Sequence, residues 1–72
     1  MTQQYAKFED GALWWRGTKP DFFFMPRDSA EKLRRTFAAN QYWWFQATAD
    51  AFVAELDAAI AEYDAWEDSL AA

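Results

Sequence analysis

Residues 48–70 read TADAFVAELDAAIAEYDAWEDSL, and the reading of that stretch decides the fold. Phe52, Leu56, Ala59, Ile60, Tyr63, Trp66 and Leu70 follow one another at steps of mostly three or four residues, the repeat that lines one side of an α-helix. The Thr48 hydroxyl is placed to cap the start, seven alanines between Ala49 and Ala65 favour continuous helix, and neither Gly nor Pro interrupts. The spacing predicts one amphipathic helix over about 49–70.

Charge is laid along that helix in rows. At about 100° per residue, Asp50, Asp57, Asp64 and Asp68 fall on one edge of the apolar face, and Glu55 and Glu62 fall on the other. With Glu67 these are the seven acids between Thr36 and the end of the chain, where there is no Lys or Arg, so that half carries a formal charge of −7. The first 35 residues hold seven basic and five acidic side chains, net +2, and the whole chain stands at −5. A helix built only for solubility mixes signs and gains Glu-to-Lys pairs four residues apart. This one has none, so its positive charge is expected from elsewhere.

Working back towards the start, Tyr5 to Arg16 reads as a hairpin. Asp10-Gly11 suits a type I′ turn, which needs positive φ at both positions. The turn sets Glu9 across from Ala12, Phe8 from Leu13, Lys7 from Trp14, Ala6 from Trp15 and Tyr5 from Arg16. Ala6, Phe8, Leu13 and Trp15 then share the core side. Tyr5, Lys7, Glu9, Ala12, Trp14 and Arg16 share the outer side, with the Lys7 ammonium expected over the Trp14 ring.

Phe22-Phe23-Phe24-Met25, between the turn at 17–21 and Pro26, reads as a third strand, completing a hairpin-and-strand unit over about 4–25. Asp28-Ser29-Ala30-Glu31 has capping-box spacing, and Ala30, Leu33 and Phe37 form one face of a short helix over about 29–39. Gln41 to Gln46, QYWWFQ, reads as a fourth strand over 41–46, with continuation of the helical stripe as the alternative. The expectation is a single α+β domain, 1–72, with an antiparallel sheet of three or four strands in the order β-β-β-α-β-α, packed against the long acidic C-terminal helix.

Size and composition limit what such a domain does. A chain of 72 residues with no cysteine has no disulfide staple and draws its core from five Trp, seven Phe and three Tyr. Without His or Cys there is no Ser–His or Cys–His nucleophile and no His or thiolate metal site. Gly11 and Gly17 stand in no phosphate-cradling motif, no calcium-loop spacing occurs, and carboxylates two apart on a helix point different ways. No catalytic residue, metal or cofactor is expected. The start MTQQYAKFEDG lacks a basic n-region and an apolar run, which points to a cytoplasmic protein with no membrane segment.

Two binding surfaces of different character remain. The first is acidic: Asp50, Asp57 and Asp64 recur every seven residues, roughly 10 Å apart on a helix, so carboxylate rows could stand in for phosphates on a basic groove. Asp68, Glu55, Glu62 and Glu67 support them. In size, charge and helix pattern the chain resembles phage or mobile-element inhibitors of host nucleic-acid enzymes, of the anti-CRISPR and anti-restriction kind. That likeness is one of profile, with no motif and no residue to carry over. It implies a basic protein surface of a nucleic-acid-handling complex as partner, with no direct nucleic acid contact.

The second surface is aromatic. Tyr5, Trp14 and a phenylalanine would stack bases while Lys7, Arg16 and Lys19 contact phosphate, and the Trp14-Trp15 and Trp43-Trp44 doublets would each place one indole on either sheet face. Trp43 and Trp44 join Tyr5 and Trp14 as candidates for contact. Exposed aromatics would equally serve a homodimer as a structural or assembly protein, so the chain is expected to be a monomer or a homodimer.

Overall fold

The computed structural model describes residues 4–39 and 46–71, and they form a small α+β fold. Strands β1 (Ala6–Glu9), β2 (Ala12–Trp15) and β3 (Phe23–Met25) make an antiparallel sheet in the order β1-β2-β3. Helices α1 (Arg27–Ala39) and α2 (Gln46–Ala71) follow.

The hairpin register is the one the Asp10-Gly11 turn dictates: Ala6 opposes Trp15, Lys7 opposes Trp14, Phe8 opposes Leu13 and Glu9 opposes Ala12. Asp10 at φ 54° and Gly11 at φ 73° supply the two left-handed residues of a type I′ turn. Gly11 also has no room for a side chain, because a Cβ there would come within 3.0 Å of the Trp66 ring. In the second ladder Leu13 opposes Met25, Trp14 opposes Phe24 and Trp15 opposes Phe23.

One face of the sheet is covered. Ala6, Leu13 and Met25 meet Ala30 and Phe37 of α1 and Phe52, Leu56, Ala59 and Ile60 of α2 in a single core. The most deeply buried large side chains are Phe52, Leu13 and Leu56, each worth about 1.5–3 kcal/mol on removal from water. The Phe52 ring is the hub: Tyr5, Trp15 and Phe37 lie edge-on or steeply tilted to it, with centroids 4.8, 5.2 and 4.8 Å away. Towards the other end of α2, Tyr63 and Trp66 meet Phe8 at 6.0 and 5.8 Å.

Several boundaries depart from the sequence expectation. The short helix starts at Arg27, because the Pro26 carbonyl accepts from the Ala30 amide at 2.9 Å and takes the place assigned to Asp28. The long helix starts at Gln46, so Thr48 lies inside the first turn and Gln46 is not part of a strand. The rest of the expected fourth strand, 41–45, with Trp43 and Trp44, lies outside the described residues. Tyr5 turns to the core rather than outwards, since its amide is held by Glu55 and its ring meets Phe52. No helix among the described residues is long and apolar enough to cross a membrane.

Candidate partner-binding surfaces

The acidic rows of α2 divide according to what lies beside them. Helices α1 and α2 run antiparallel, and Arg27 and Arg34 of α1 are spaced seven apart, as are Asp57 and Asp64 of α2. Two rungs of the aspartate ladder therefore meet two arginines. Arg27 grips Asp64 with both arms, Nε to Oδ1 at 3.2 Å and Nη2 to Oδ2 at 2.9 Å. Arg34 pairs with Asp57. Glu31 joins the network, accepting from Arg27 one turn before it and from Arg35 one turn after it, the latter at 2.7 Å.

These contacts shift the titrations. The hydrogen bond from Arg27 holds the Asp64 carboxyl below its ordinary value, and those from Arg27 and Arg35 do the same for Glu31. The Arg27 guanidinium is pushed up in turn, chiefly by its bonds to Asp64 and then Glu31. The positive charge that α2 itself lacks thus comes in part from the same chain. The signal was legible in part: Arg34 lies in the helix expected over about 29–39, and Arg27 stands seven residues before it, just outside that span, matching the aspartate spacing.

On the opposite edge Glu55 is also engaged. Its Oε1 accepts the backbone amides of Tyr5 at 2.6 Å and Ala6 at 3.1 Å, fastening the start of β1 to the middle of α2. Glu62 is exposed one helical step further on, beside a shallow depression of about 430 Å³ that it shares with Gln4, Lys7 and Glu55. Glu67 accepts from the Tyr63 hydroxyl at 2.6 Å, which raises the Tyr63 pKa, and Asp68 is exposed beside it. None of the ion pairs among the described residues includes Glu62, Glu67 or Asp68. Asp50 is exposed near the other end of α2 and has an interaction of its own.

The dipole of α2 adds to this asymmetry. The first turn carries no acid and the last turn no base, the reverse of the arrangement that stabilises a helix. Glu67 and Asp68 lie near its negative end, so the anionic field is strongest where the described cations are fewest.

The outer face of the sheet carries the aromatic set. Lys7, Trp14 and Phe24 form one cross-strand row, with the Trp14 and Phe24 rings edge to face at 6.2 Å. Lys7 does not lie over Trp14 as its register suggested. Its ammonium sits 4.4 Å from the Phe22 centroid and 3.1 Å from Glu9, while Trp14 Nε1 donates to the Glu9 carbonyl at 3.0 Å. Arg16 covers the same Phe22 ring at 5.2 Å and bonds the Gln4 carbonyl through Nε. Both cations of this face are thereby committed within the molecule. Phe23 and Phe24 are 58% and 64% exposed.

Among the described residues no group of three or more His, Cys, Asp or Glu is gathered to hold a metal ion. No protein-family model, no curated protein and no solved structure matches the chain.

Proposed function

We propose that this chain is a non-catalytic, protein-binding inhibitor of the phage or mobile-element kind, which presents carboxylates of α2 as a nucleic-acid mimic to a basic groove of a nucleic-acid-handling complex. The observation that carries the reading is the charge of α2. It has seven carboxylates and no cation of its own, and the trio Glu62, Glu67 and Asp68 is in no ion pair among the described residues and faces solvent towards the negative end of the helix dipole. Asp57, Asp64 and Glu55 have internal duties, so they hold the scaffold while the trio faces the partner.

This division selects the test. Reversing Asp57 or Asp64 would break the contact with α1 and confuse folding with binding, so the informative variant is Glu62→Lys/Glu67→Lys/Asp68→Lys. Restriction enzymes and RNA-guided nuclease complexes loaded with a fluorescent oligonucleotide supply the readout. The wild-type chain is expected to displace the oligonucleotide from its target, less effectively as salt rises, and the triple variant to lose that action. Equal displacement by the triple variant would overturn the assignment.

A second reading has the Lys7–Trp14–Phe24 row in its favour, as a platform for single-stranded nucleic acid. Saturable, salt-sensitive quenching of tryptophan fluorescence by an oligonucleotide would support it over the first.

A further inference from the structure

We infer that the open edge of β3 is a self-association surface, which takes a second copy of this chain in antiparallel, two-fold pairing and joins two three-stranded sheets into one of six. The inference involves none of Glu62, Glu67 or Asp68 and stands apart from the acidic-face reading.

The first ground is the chemistry of the edge. β3 is the last strand in the sheet order, and no described strand lies beyond it. Edge strands are commonly guarded by charge, above all lysine, because their unpaired amides and carbonyls are a template for another strand. Phe22 to Met25 carries no charge, and its two exposed phenylalanines lie on opposite faces of the sheet. Phe23 borders a groove of about 290 Å³ between β3 and α1, walled by Trp15, Met25, Pro26 and Leu33. Phe24 stands beside Trp14 on the outer face.

Backbone alternation then fixes a register. The type I′ hairpin makes Glu9–Ala12 and Lys7–Trp14 the hydrogen-bonded pairs, so Leu13 and Trp15 turn their amides and carbonyls towards Met25 and Phe23. Phe22 and Phe24 must therefore point theirs away from β2, at the open edge. Pairing Phe24 with its own mate yields two bonds and then sets Phe22 against Pro26, which has no N–H to give. Pairing Phe22 with the mate's Phe24 yields four bonds and places Phe23 on the two-fold axis, ring beside ring on the core face.

Charge selects the occupant. Lys19 and Asp21 flank one end of the strand and Arg27 and Asp28 the other, one of each sign on both sides. A polyanion or polycation finds no surplus of opposite charge there. A second copy, reversed by the two-fold, meets the same balanced flanks and the same uncharged edge, while Arg27 stays with Asp64 and Glu31.

Area sets the strength. At 58% and 64% exposure, Phe23 and Phe24 offer about 250 Å² per copy if each ring presents roughly 200 Å². With the neighbouring half-buried Phe22, Trp14 and Leu33, the total for both copies stays below about 1,000 Å², the size of a weak, transient interface. Such a dimer forms at micromolar rather than nanomolar concentration.

Sedimentation equilibrium of the full chain from about 10 µM to about 1 mM tests this, in the range where an interface of this size associates. The mass is expected to rise from 8.4 kDa towards twice that value. Phe24→Lys, which replaces a ring 64% exposed beside Trp14, should raise the dissociation constant at least tenfold while leaving the thermal melt in place. Leu70→Arg, remote from the edge, should leave association unchanged. In this cysteine-free chain, Phe23→Cys should oxidise to a linked dimer faster than Phe24→Cys, because position 23 alone lies on the axis. A monomer at every concentration overturns the inference, as does a dimer indifferent to Phe24→Lys, a dimer abolished by Leu70→Arg, or equal oxidation at positions 23 and 24.

Discussion

The two halves of α2 are written in the same residues and put to different uses. From Ala49 to Ile60 the apolar face is sealed under the sheet and α1, and of the acids on its flanks Glu55 fastens β1 while Asp57 holds α1. From Tyr63 onwards the same apolar repeat is half covered and then bare, with Leu70 63% exposed and Glu67 and Asp68 in solvent. Length accounts for the difference. A helix of 26 residues runs about 39 Å, whereas strands of three or four residues reach only about 10–13 Å. A short sheet cannot cover a long helix to its end, so periodicity alone overstates burial there.

The comparison breaks most visibly at Phe52. Phe52→Ala should cost about 3–5 kcal/mol, most of the stability of a domain this small, whereas Leu70→Ala at the far end of the same stripe should cost under about 0.5 kcal/mol. Urea unfolding of both variants measures the contrast, and equal costs would show that the two halves are packed alike. Next come the glutamates of the opposite edge. Glu55→Ala should lose about 1–2 kcal/mol by releasing the amides of Tyr5 and Ala6, against no more than about 0.5 kcal/mol for Glu62→Ala.

Near the end of the helix the sign should reverse. Asp68→Lys places a cation by the negative pole of the dipole and should add about 0.3–1 kcal/mol at low salt, read as a raised melting temperature, whereas Glu67→Lys gains less because it also removes the bond from the Tyr63 hydroxyl. A gain in stability joined to a loss of target binding would sharpen the division between scaffold and partner surface.

The smallest effect lies in the pH profile. Asp64 and Glu31 have folded pKa values below their ordinary 3.8 and 4.5, so the stability they contribute is fully present above that range and is lost as pH falls through the lower, folded values. Tyr63 is raised above 10.0, so its share is present below pH 10 and lost as pH climbs through the folded value. Acid titration of Arg27→Met by circular dichroism should show a smaller stability loss between pH 5 and 3 than wild type.

Much of the fold was legible because it rests on local rules. Asp10-Gly11 determined the hairpin and its register, and the three-to-four repeat from Phe52 determined the long helix and its inward face. The rest depended on partners distant in sequence. Tyr5 was read as outward by strict alternation, which cannot see that a glutamate 50 residues later takes its amide. The helix starts shifted because the Pro26 carbonyl and Gln46 extend turns whose capping signals at Asp28 and Thr48 look sufficient on their own. The aspartate ladder reads from the sequence as a row standing in for phosphates on a basic groove, while the matching heptad of Arg27 and Arg34 supplies two of its partners from within. What stayed beyond that reading was the exposure of Glu62, Glu67 and Asp68 outside any described ion pair, since that is settled only when the sheet and α1 have docked on α2.

The clasp of Glu55 on the amides of Tyr5 and Ala6 bears on stoichiometry. A sheet open at both margins propagates, each added molecule offering the next the same invitation, and the end of that road is a fibre. Here a carboxylate from the molecule's own helix takes the outward Ala6 amide of the β1 margin, whereas no described strand or side chain guards the edge of β3 in that way. If two copies pair at β3 as inferred, the margins they still expose are the ones Glu55 guards, and Glu55→Ala tests whether that guard keeps the assembly at two.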